Sequence, residues 1–144
     1  MILSNHLIFL AAESPAMANA TGDFGRRIFI IIRKEADSGE NRTFVTKVLA
    51  AAQLNLAQDT MLSEIPPGEA RTIATDLREK KPMQVLVFGI PAEQLGLHLQ
   101  TNPYQPLSFC GAQWLFADAL SVIAPDKNKK TLLWGALQKM FLSN

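Results

Sequence analysis

Residues 27–33 read RIFIIIR and residues 84–90 read QVLVFGI. Each is a short apolar run, rich in β-branched and aromatic side chains, with no polar–apolar alternation. A strand with one face in water alternates, whereas a strand covered on both faces does not. Both runs are therefore predicted to be central strands of a sheet buried on both sides.

The segments between and beyond them read as helices and short strands. Residues 36–41 form a polar turn. Residues 42–56 carry Val45, Val48, Leu49, Ala52 and Leu56 on one helical face. Residues 61–65 are a weak strand candidate. Pro66 and Pro67 open the next predicted helix, because a missing N–H costs nothing in a first turn. Ala70, Ile73, Ala74 and Leu77 then recur at helical spacing, and Pro82 closes the segment.

After the second strand, residues 91–95 read as a short helix and residues 96–106 as a proline-containing loop. Residues 107–109 and 113–116 are predicted to pair around Cys110 and Gly111. Residues 117–124 read as a short helix. A final helix starts at Pro125 and Asp126 and runs to about Phe141, with Leu133, Leu137, Met140 and Phe141 inward and Trp134 beside them. Buried strands alternating with amphipathic helices predict an α/β fold, a three-layer α/β/α sandwich around a mostly parallel sheet.

The totals suit one such domain. The chain has 144 residues, 48% hydrophobic and 19% charged, with a formal net charge of +1. That composition is globular rather than disordered. The near-zero charge sets up no large field for a polyanion, so DNA binding is expected to be weak or indirect. Cys110 is the single cysteine, and His6 and His98 are the only histidines. An internal disulfide is excluded and no structural metal is expected. A lone thiol fits a reducing cytoplasm.

Residues 1–25 read as an N-terminal arm and residues 26–144 as the domain. Leu3, Leu7 and Leu10 stand at helical spacing, with Ile2, Ile8 and Ala11 beside them, before Pro15 and a run of small residues. No Lys or Arg occurs in the first 25 residues and Glu13 interrupts the apolar stretch, which argues against a secretion signal. No apolar run approaches the roughly 20 residues that span a membrane. The arm is either a first helix packed on the core or an amphipathic peptide that docks on another protein, with Ile2, Leu3, Leu7, Ile8 and Leu10 as partner-binding residues.

Motifs that carry chemistry are scarce. GIPAEQLG, residues 89–96, has neither the spacing of a dinucleotide fingerprint nor a P-loop lysine. No base lies near Ser108 or Cys110 in sequence, and no two acidic residues are spaced as an acid–base pair. Lys127, Lys129 and Lys130 cluster at the start of the last helix, where positive charge opposes the dipole. They are candidate contacts for a phosphate or an acidic partner. No catalytic residue and no cofactor is expected.

The last 60 or so residues resemble the C-terminal half of the uracil-DNA glycosylase superfamily. A buried strand, QVLVFGI, runs into a short helix, PAEQLGL; a loop and small hairpin follow, and Lys130, Trp134 and Leu137 fit a closing helix of the form K-x-x-x-W-x-x-L. The resemblance implies a His-Pro-Ser type motif after the next strand, but residues 115–120 read LFADAL. It also implies a water-activating segment after the first strand, where residues 33–39 read RKEADSG. Base excision needs an extruded base, an edge-reading pocket and an activated water. Two of these devices have no visible residues.

Residues 106–113 (PLSFCGAQ), the Ala-x-x-Leu helix after them and the pair Leu133–Trp134 are similar to a non-catalytic branch of that fold, the psi-subunit family of the bacterial DNA polymerase III holoenzyme. That likeness implies a bridge between clamp-loader subunits and a chi-like subunit, with an N-terminal peptide making the clamp-loader contact. Two other readings are weighed beside it. One is a divergent enzyme of the superfamily acting on DNA bases, with Asp37 and His98 as catalytic groups. The other is an interaction domain whose partner has nothing to do with DNA.

Overall fold

The computed structural model describes residues 14–142. Five strands form one sheet: β1 (Ile28–Arg33), β2 (Thr60–Ile65), β3 (Gln84–Phe88), β4 (Leu107–Phe109) and β5 (Ala112–Ala117). Five α-helical segments accompany them: α1 (Ser38–Ala51), α2 (Leu56–Asp59), α3 (Ala74–Lys80), α4 (Leu120–Ile123) and α5 (Lys127–Leu137). The strand order is β2-β1-β3-β5-β4, parallel throughout except for the antiparallel β4 edge. The fold is α/β with a mostly parallel central sheet.

The two quoted runs are β1 and β3, hydrogen-bonded neighbours in register, with Phe29 opposite Val85 and Ile32 opposite Phe88. Their lack of alternation has the expected cause. Ile28, Ile30, Ile32, Leu86 and Phe88 point into one core with Val45 and Leu49 of α1, Leu120 of α4 and Leu133 and Leu137 of α5. Phe29, Ile31, Val85 and Val87 point into a second core with Ala16, Met17, Ile73 and Leu95. Every one of these strand side chains is at most 1% exposed. At roughly 25 cal/mol per Å² of apolar surface, this two-sided burial is the main drive for placing β1 and β3 centrally.

Helix boundaries differ from the periodic reading. α1 begins at Ser38, inside the expected turn, and ends at Ala51, so Leu56 starts a separate turn of helix. Gln53, with φ +65°, breaks the run. Pro66 and Pro67 do not open a helix: α3 spans only Ala74–Lys80, and Glu69 N–H bonds Pro66 O in a turn before it. Lys81 ends α3 in the left-handed conformation, φ +49°, ahead of Pro82. The segment after β3 is a 3₁₀ turn, Ala92–Leu95, and α5 closes in a π-helical turn, Gln138–Leu142.

The partner-binding residues Ile2, Leu3, Leu7, Ile8 and Leu10 lie outside the described residues. From Ser14 onward, the stretch read as arm is tied to the domain. Ala16 N–H bonds Thr72 O, Thr72 N–H bonds Ser14 O, and Thr21 and Leu62 exchange both backbone bonds. Ser63 donates to Ala16 O at 2.7 Å, and Asp76 Oδ2 accepts from Met17 N–H at 3.3 Å. Among the described residues no helix is long and apolar enough to cross a membrane.

Candidate functional site

The chain leaves β1 toward β2 on one side and reaches β3 on the other, so the carboxyl ends of β1 and β3 flank a topological switch point. Ligand sites of open α/β sheets form in the crevice outside those strand ends. Here that crevice has a volume of about 350 Å³ and is lined by Arg33, Gly89, Pro103, Phe116, Asp118 and Val122, among others. Gly89 sits at φ +77°, and a Cβ there would stand 2.9 Å from both Cα and Cβ of Ala119. The turns after β3 and β5 therefore touch, and only glycine fits between them.

The carboxylates at this edge are held by neighbouring side chains. Asp118, just after β5, accepts a hydrogen bond from the Tyr104 hydroxyl at 2.6 Å and pairs with Lys129 Nζ at 3.0 Å. The Tyr104 bond holds the Asp118 carboxyl below its ordinary range and outweighs burial, with Lys129 adding to it. Burial raises the Tyr104 phenol above its ordinary value, and its bond to the carboxylate adds to this. Glu35 accepts from Ser121 Oγ and, at 3.1 Å, from Asn41 Nδ2; Arg33 stands 3.5 Å away. Burial pushes the Glu35 carboxyl upward, but these bonds together keep it below its ordinary value.

These bonds join β1, α1, the 96–106 loop, α4 and α5 across the strand ends. An acid–base catalyst needs a titratable group free to reach substrate. Asp118 and Glu35 each already accept two or more partners.

The residues singled out in the sequence fall in different places. Lys127, Lys129 and Lys130 do not form one patch. Lys129 turns to Asp118, Lys127 is exposed, and Lys130 lines a groove between α1 and α5. Asp126 offsets their unfavourable position by capping the helix, its Oδ1 accepting from Lys129 N–H at 3.1 Å. His98 is exposed beyond the 3₁₀ turn and does not line the crevice. Asp37 is exposed at the start of α1 and lines a separate depression with Glu40 and Ser121. Cys110 is exposed in the β4–β5 turn at φ +52°. No cluster of three His, Cys, Asp or Glu that could hold a metal occurs among the described residues.

Tyr104 and Glu35 escaped the sequence reading. Tyr104 is the single tyrosine, in a loop between Pro103 and Pro106, and its rarity was the one available signal. Glu35 meets Ser121 across 86 positions, which no local pattern encodes. The sequence matches no protein-family model and has no significant match to a curated protein.

Proposed function

We propose that this chain is a non-catalytic accessory subunit of a bacterial replicative DNA polymerase, a psi-like bridge in the cytoplasm that contacts clamp-loader subunits and a chi-like subunit. In this reading the domain is a three-layer α/β/α sandwich of the uracil-DNA glycosylase kind. Its contact with DNA is weak or indirect, and it needs no cofactor.

The observation that carries the reading is the state of the crevice. Within residues 115–120, the stretch in which the resemblance implies a histidine, the one titratable side chain is Asp118, committed to Tyr104 and Lys129. Within residues 33–39, the segment in which the resemblance implies a water-activating group, Glu35 is engaged by Ser121, Asn41 and Arg33. Both positions serve to fasten loops. That supports a scaffold whose work is done at its surfaces.

The arm is the proposed clamp-loader contact, through Ile2, Leu3, Leu7, Ile8 and Leu10. Helix-in-groove recognition draws most of its energy from a few such apolar anchors. Uracil release from a uracil-containing DNA duplex tests the catalytic side of the proposal. Purified protein should release none above background, and turnover lost in His98→Ala or Asp37→Ala would overturn it.

A further inference from the structure

On the sheet face covered by α1 and α5, the two helices leave a groove of about 260 Å³ between their outer edges. Phe44, Val48 and Ala51 line it from α1, and Leu133 and Trp134 from α5. Helical spacing puts the three α1 residues on one edge of their helix, beside the buried stripe of Val45 and Leu49. Phe44, Val48 and Trp134 are only half-buried, so this apolar surface is not fully covered by the domain itself. Lys47 and Lys130, both exposed, stand at its rims. Neither forms an ion pair among the described residues. α5 carries Lys127, Lys129 and Lys130 and no acidic residue; the one acid of α1, Glu40, lines an adjoining depression that Phe44 and Lys47 also border, and it does not line the groove itself.

We infer that this groove is a second docking surface, for an acidic amphipathic segment of a partner protein, with apolar side chains over Phe44 and Trp134 and carboxylates over Lys47 and Lys130. Charge complementarity selects the occupant: an apolar floor between two unpaired lysines attracts an acidic amphipathic helix and repels a basic one. The volume falls below the roughly 300–1,000 Å³ of small-molecule sites, which suits inserted side chains better than a cofactor. A single-stranded nucleic acid would require a longer cationic track than two lysines. The groove is built from α1 and α5 alone, and the inference does not depend on the replication reading.

The test is titration of the full chain with a short synthetic amphipathic helix, Leu and Phe on one face and Glu on the others. The change in tryptophan emission is the readout, since Trp134 lines the groove while Trp114, fully buried in the core on the other sheet face, contributes a constant background. Saturable binding that salt weakens is expected. Lys47→Glu with Lys130→Glu should weaken it at least about tenfold, because like charges then face each other. Both positions are exposed, and unchanged circular dichroism would show that the fold is retained. Val48→Asp should also lower affinity. No binding, equal binding to the double variant, or equal binding of the same helix with Lys in place of Glu would overturn the inference. Displacement by oligothymidylate would assign the groove to nucleic acid instead. Arm variants leave this titration unchanged, so its failure and failure of the clamp-loader contact are distinguishable.

Discussion

The Tyr104 hydroxyl donates to Asp118 Oδ2 at 2.6 Å, joining the loop after the 3₁₀ turn to the residue that follows β5. The same oxygen takes Lys129 of α5, so one carboxylate fastens three segments at the carboxyl edge of the sheet. Asp118 thus both lines the crevice and holds its walls together.

Tyr104 is the single tyrosine, so phenolate absorbance reports it alone. Its titration should begin above the ordinary value of about 10. Asp118→Asn should move it down only part of the way, because burial, the larger cause, remains. The Asp118 carboxyl is depressed in the fold, so its contribution is present above about pH 3.9, the unfolded value, and is lost as pH falls through the lower folded one. Asp118 is 36% exposed, so screening limits the loss in Asp118→Asn to about 1 kcal/mol. An ordinary phenol titration in the folded protein would contradict the contact.

Gly89→Ala should destabilise the domain by about 1–3 kcal/mol, since alanine at φ +77° is strained and its Cβ meets Ala119 at 2.9 Å. Gly39→Ala in the first turn of α1 meets nothing within 4 Å and should hold or raise the melting temperature. Thermal unfolding of the two variants checks the pair. Equal melting temperatures would mean that the turns after β3 and β5 do not touch.

Asp76, 6% exposed, receives the Met17 N–H and so fixes the segment before β1 to α3. Burial raises its carboxyl above the ordinary value. A raised acid contributes stability that is fully present below about pH 3.9 and is lost as pH rises through the folded value. At neutral pH the charge is a net cost. Asp76→Asn should therefore keep or raise the melting temperature at pH 7, while Asp76→Ala, which leaves Met17 N–H without its acceptor, should lose about 1–2 kcal/mol. Equal losses in the two variants would contradict this assignment.

Much of the sheet was legible in the sequence, for a physical reason. Burial on both faces leaves a local imprint, the unbroken apolar runs of β1 and β3. The hairpin around Cys110 and Gly111 and the inward stripe of α5 are local patterns of the same kind. The α3 boundary was not legible, because Pro66 is compatible with a turn as well as with a helix start. Nor was the crevice, because Glu35 with Ser121 and Tyr104 with Asp118 are pairings made by the fold. The three lysines looked like one cluster in the chain, but helical spacing sends Lys129 and Lys130 to different neighbours.

The central claim is that the chain works by holding partners. It is tested most directly by mixing the purified full chain with the purified clamp-loader complex of its own host and measuring affinity by titration calorimetry. Wild-type protein should form a stable complex. Leu7→Asp with Leu10→Asp should weaken it at least about a hundredfold, since each leucine anchor contributes roughly 1.5–3 kcal/mol and 1.4 kcal/mol is about tenfold. The melting temperature of that variant should stay near the wild-type value. Absence of any complex with the wild-type chain, or undiminished binding by the double variant, would contradict the claim as stated.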